Sequence, residues 1–89
     1  MKIRQIYIDE KFEKEFSRLP RSLQQRAEKA RRLLMENAFH PSLRLHKLSG
    51  AMDGLWSISI NRQYRILFEP LKNGDVVLVS IGTHAIYDY

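Results

Sequence analysis

Hydrophobic residues follow two rhythms along this chain, and the rhythm changes near its middle. In "KIRQIYI" (2–8), Ile6 and Ile8 alternate with polar neighbours, and Ile3 lies one step out of phase. That pattern predicts a short strand. Asp9 follows as a helix cap, and Phe12, Phe16 and Leu19 repeat at helical offsets to form one apolar stripe. Pro20 ends this helix by excluding its predecessor from helical geometry. A second helix restarts near Arg21 or Ser22, with Leu23, Ala27, Ala30 and Leu34 as its stripe and Leu33 widening it. Arg26, Lys29, Arg31 and Arg32 fall on its flanks and back, where they read as a solvated surface. The break between the helices allows only a hairpin.

After "ENAFHPSLRLHKLSG", which reads as a loop, the period shortens to two. Trp56, Ile58 and Ile60 face one way, and Ser57, Ser59 and Asn61 face the other. One side of this sheet is therefore expected to be buried and the other wet. A tight turn at Asn61–Arg62 leads into a strand with Tyr64, Ile66 and Phe68 on one face and Arg65, Leu67 and Glu69 on the other. "NGD" (73–75) signals a hairpin, because both turn positions can take positive φ. "VVLVSI" (76–81) is apolar on both faces, as an interior strand should be. The expected architecture is a single α+β domain over residues 1–89. Its order is β-α-α-β-β-β, an antiparallel sheet with a helical hairpin on one face. Phe12, Phe16, Trp56, Ile58 and Phe68 are its expected core.

Composition changes this picture in three ways. The chain has 89 residues and no cysteine, so disulfides and thiolate metal sites are out and packing or a partner must supply stability. No apolar run is long enough to span a bilayer, and the N-terminus lacks a secretory pattern, so the cytoplasm is the expected compartment. The net charge of +5 is unevenly placed: residues 17–66 carry ten basic against three acidic side chains. A basic middle favours a polyanion or an acidic protein as partner. Three histidines without cysteines or paired acids make no credible metal site, and no cofactor is expected.

The segments "HKLSG", "LWSISINRQYRILFE" and "IGTHA", in this order and at this spacing, resemble the RelE/ParE superfamily of toxin–antitoxin toxins. "GTHA" and the His46 position are most similar to the YafQ-type branch, while "YRILFE" is shared with RelE-, YoeB- and HigB-type members. The resemblance implies a metal-independent endoribonuclease that cleaves mRNA, usually at the ribosome, and thereby inhibits translation. A ribose 2′-hydroxyl attacks the adjacent phosphorus, which requires a base, fixed positive charge and an acid. By the same resemblance His84 is the candidate acid, His46 the candidate base and Arg65 the phosphate-holding strand arginine. Tyr87 approximates the family's C-terminal aromatic, with Tyr89 as a substitute, and Arg44, Lys47 and Arg62 are candidate RNA-phosphate contacts. Where the YafQ branch has a histidine and an acidic residue in the meander, this chain has Ser59 and Gln63. The implied partners are a cognate antitoxin, through which the chain oligomerises, and mRNA with the ribosome. Two alternatives share the fold: a ParE-like gyrase inhibitor, and a non-catalytic module that binds RNA or antitoxin.

Overall fold

The structure is a computed structural model describing residues 1–83 and 86. Its elements run β1 (Ile6–Ile8), α1 (Glu10–Ser17), α2 (Arg21–Glu36), β2 (His46–Lys47), β3 (Trp56–Ser59), β4 (Arg65–Pro70) and β5 (Val76–Gly82). The strands form one sheet in the order β1-β5-β4-β3-β2. The α+β class and the helical hairpin are as the sequence predicts. The sheet is mixed, however: β1 pairs parallel to β5, Ile6 opposite Val76, while every other pair is antiparallel. A further strand, β2, lies inside the segment read as loop, where two residues pair with Trp56 and Ser57. Two residues carry too little periodicity to be seen in a sequence.

Local chemistry explains the helices. Asp9 accepts the Phe12 amide at 2.8 Å and so caps α1, and Phe12 and Phe16 stack with ring centroids 6.1 Å apart. The Gln24 side chain donates to the Phe16 carbonyl at 3.0 Å, tying the hairpin together. Phe12, Ala27, Ala30 and Leu34 bury against Ile58, Ile66, Phe68, Val76, Leu78 and Ile81 of the sheet, and Leu43 from the loop after α2 closes the core. A β-bulge where Leu67 and Phe68 pair with Ser80 and Leu78 lets Leu78 and Ile81, three residues apart, both reach this core.

The expectation of a wet second face is corrected. Leu48, Leu67 and Ile86 form a second buried cluster there, with Met52, Leu55 and Val79 against it, and Ser57 is only 3% exposed. The alternation correctly placed Leu67 away from the helices; the loop residues that cover it come from distant parts of the sequence. The 73–75 turn joins β4 to β5 as the hairpin the sequence signals. Gly74 takes positive φ (92°), while Asn73 accepts the Asp75 amide through its side chain at 3.0 Å. Asp75, buried, grips the Arg4 guanidinium by two bonds of 3.0 Å to Nε and Nη2. Hydrogen bonding and then charge from Asp75 hold Arg4 above the ordinary arginine pKa.

Beyond the end of β1 the edge of β5 is closed by α1. Glu15 accepts the Ser80 hydroxyl at 2.8 Å and the Ile81 amide at 3.1 Å. Glu15→Ala would leave both donors buried without an acceptor. It is expected to lower unfolding free energy by about 1–3 kcal/mol, read as a shifted midpoint in urea at unchanged slope. Among the described residues no helix is long and apolar enough to cross a membrane.

Candidate functional site

Three arginines meet at the end of the sheet where β3 stops and β4 begins. A groove of about 670 Å³ runs between the turn after α2 and the β3–β4 turn, lined by Ser42, Arg44, Ser59, Asn61, Arg62 and Arg65 among others. Each wall has a local cause. His40 Nδ1 accepts the Ser42 amide at 3.2 Å and starts the short 3-10 turn Pro41–Leu43. Arg44 closes that turn in the left-handed region (φ 47°, ψ 51°), a conformation that costs a non-glycine residue roughly 1 kcal/mol or more. Buried Leu43 beside it holds the strained residue in place. Opposite, Asn61 Oδ1 accepts the amides of Gln63 (2.8 Å) and Tyr64 (2.7 Å), which folds the β3–β4 turn.

Arg65 is fixed by the same turn. Its Nη1 donates to the carbonyls of Asn61 (2.8 Å), Tyr64 (3.1 Å) and Arg62 (3.2 Å). The Nε–Nη2 edge has no partner among the described residues. That edge is the one Arg4 uses to grip both oxygens of Asp75, so the chain itself displays what it can hold. Among the described residues, Arg44, Arg62 and Arg65 form no ion pair, and no acid lines the groove. A pre-aimed fork between two further cations, in a concavity with no carboxylate among its described lining residues, suits a phosphodiester.

The remaining candidate residues distribute as follows. His46 on β2 is exposed and opposite Ser57. Its phase matches Leu48 on the second face, the face that Ser59 and Arg65 also share. One strand, β3, and two residues separate it from Arg65, about 12 Å between backbones over two strand spacings. Lys47 lies opposite Trp56 and so in the other phase, away from Arg65. Gln63 is exposed in the turn, and Ser59, opposite Arg65, lines the groove. His84 and Tyr87 lie outside the described residues, as does Tyr89. The chain on either side is placed: Gly82 pairs with Arg65, and Ile86 is buried with Leu48 and Leu67. Ser42 and Asn61 were missed in the sequence; the Asn-x-x-Tyr turn and the residue after Pro41 were their only signals.

The sequence pattern of the ParE-like toxin domain matches residues 21–88. The chain belongs to this toxin family. It falls within the RelE/ParE superfamily, and solved structures share its fold. YafQ from E. coli strain BL21(DE3) superposes with a TM-score of 0.79 at 16% identity, covering 94% of this chain and 97% of the other. A YoeB/ParE toxin from Agrobacterium tumefaciens gives 0.76 at 14% identity, covering 91% and 99%. A chain of the E. coli DinJ–YafQ toxin–antitoxin complex gives 0.75 at 17%, covering 93% and 94%. No curated protein matches the chain.

Gly82 leaves room for the Ile86 side chain to pack against β5. A Cβ at position 82 would come 2.5 Å from Cγ2 of Ile86, a β-branched side chain that is itself buried. Gly82→Ala is therefore expected to displace Ile86 and loosen the second cluster. Ile86→Ala in the same chain should relieve the clash, giving a coupling energy of roughly 0.5–3 kcal/mol in a double-mutant unfolding cycle. Strict additivity of the two substitutions would contradict this packing.

Proposed function

We propose that the chain is the toxin half of a toxin–antitoxin pair and cleaves mRNA at the ribosome as a metal-independent endoribonuclease. The observation that carries this reading is the Nε–Nη2 fork of Arg65, unpaired among the described residues, in a groove it shares with Arg44 and Arg62 and with no described carboxylate. The fork holds two non-bridging oxygens of the scissile phosphate, and the turn carbonyls on Nη1 keep it from swinging away. His46 takes the proton of the ribose 2′-hydroxyl as the new bond to phosphorus forms. His84 gives a proton to the departing 5′-oxygen as the old bond breaks, leaving a 2′,3′-cyclic phosphate and a 5′-hydroxyl. Imidazole suits both tasks because it exchanges protons near neutrality. Arg65 compensates the charge that grows on the phosphorane, the step in which fixed cations matter most. Tyr87 stacks on a neighbouring base or donates to the leaving oxygen, and Arg44 and Arg62 bind flanking phosphates, while Lys47 on the other face is left out of the site.

The antitoxin is the natural partner of such a surface, because an acidic, extended segment would neutralise the basic groove and cover the sheet edges. The complexed neighbour, DinJ–YafQ, is consistent with that partner. Assembly in the cytoplasm through the antitoxin completes the reading. The family's ParE-like description favours a second reading, poisoning of gyrase through protein contact. Induction in cells separates the two: new mRNA 5′ ends with translation halted and DNA intact support the nuclease, whereas DNA breaks accumulating while translation continues would overturn it. Intact transcripts together with intact DNA would point instead to a non-catalytic binding module.

A further inference from the structure

The groove beside Arg65 does not end at the sheet. A second cavity of about 390 Å³ adjoins it, and the two share Ser42, Ser59 and Ile60 in their walls. The second cavity runs onto α2, where Arg26 and Lys29 stand over a floor of Ala30, Leu33, Leu43 and Ile60. Among the described residues neither cavity has an acidic lining residue, and neither Arg26 nor Lys29 is engaged in an ion pair. Arg31, one turn further along α2, contrasts with them: it is paired with Glu28 at 3.3 Å and lies outside both cavities. The pair that the helical pattern assigned to a solvated back thus forms one wall of a continuous trough.

We propose that Arg26 and Lys29 are a second phosphate-binding subsite, and that single-stranded RNA lies along the trough from α2 to Arg65. Cations on the walls meet the backbone, while half-buried Leu33, the floor residue still open to solvent, takes the sugar and base faces of unpaired nucleotides. Such a floor distinguishes a single strand, whose bases are open to contact, from a duplex, which offers only its phosphates and groove edges. This subsite rests on reading the Arg65 groove as an RNA site and extends it by the nucleotides flanking the cut.

The test uses purified full-length protein and oligoribonucleotides whose 2′-hydroxyls are methylated, so that binding is measured without cleavage. Fluorescence anisotropy over a salt series gives the slope of log Kd against log salt. Each phosphate neutralised on a single strand contributes about 0.7 to that slope. Arg26→Ala with Lys29→Ala is expected to reduce the slope by up to about 1.4 and to weaken a six-nucleotide oligomer at least tenfold. A dinucleotide should bind it as it binds the unaltered chain, and Arg31→Ala should change neither value. An unchanged slope in the Arg26/Lys29 variant, with a reduced slope in an Arg44→Ala/Arg62→Ala variant, overturns the subsite and leaves the Arg65 site standing. If neither pair alters RNA binding but both lose an acidic antitoxin peptide, the trough is a protein site and both readings fall.

Discussion

His84→Ala is expected to abolish RNA cleavage and growth arrest while the protein still folds. Loss of a general acid costs about 10²–10⁴ in rate, because the 5′-oxygen must then leave as an alkoxide. The fold should survive because both hydrophobic clusters are built from other residues: Ile58, Ile66, Phe68 and Leu78 in one, Leu48, Leu67 and Ile86 in the other. Expression of the variant from an inducible promoter, with circular dichroism on the purified chain, checks both halves. Undiminished toxicity would remove His84 from the mechanism. A variant that fails to fold is separated from one that folds and fails to cut by its thermal transition.

Arg65→Ala should be nearly as damaging, with cleavage falling by about 10²–10³, the scale set by removing one charge-stabilising donor from a transition state. The loss should fall mainly on kcat, because the phosphorane carries more charge on its oxygens than the ground-state diester. Stability should change little, since the carbonyls released from Nη1 belong to a turn whose fold is set by Asn61. Arg65→Lys is the sharper comparison. A lysine restores the charge but offers no Nε–Nη2 fork, so it should recover only part of the rate. Full recovery would show that charge alone suffices and that the guanidinium geometry is incidental.

The helices and the interior strand were legible because their signals are local. Phe12 and Phe16 sit one turn apart, Asp9 precedes them as a cap, and the 76–81 run has no polar phase to expose. Pairings between distant segments left no such trace. Nothing in "IYI" states that β1 runs parallel to β5, and the bulge that brings Leu78 and Ile81 to one core breaks the very alternation used to assign faces. The wet face was misjudged for a related reason: alternation identifies the side on which Leu67 falls, but Leu48 and Ile86, which bury it, come from segments nineteen residues away in each direction.

At the site, residue types were readable and orientations were not. Arg65 was recognisable on its strand, yet which edge of its guanidinium is unpaired among the described residues depends on three carbonyls of the preceding turn. Arg26 and Lys29 read as ordinary solvated charges because a helical repeat cannot reveal that Ser42 and Ile60 stand across from them. Lys47 and His46 were adjacent in sequence and grouped together, but strand pleating sends them to opposite faces.

The most direct test of the nuclease account is the chemistry of the ends it leaves. Ribosomes programmed with a defined message are incubated with the purified chain, and the RNA fragments are analysed by mass spectrometry. A 2′,3′-cyclic phosphate on the upstream fragment and a 5′-hydroxyl on the downstream one are expected, with no cut where the 2′-hydroxyl at the scissile nucleotide is replaced by hydrogen. Fragments ending in a 3′-hydroxyl and a 5′-phosphate, or cleavage that persists at the deoxy position, would contradict it.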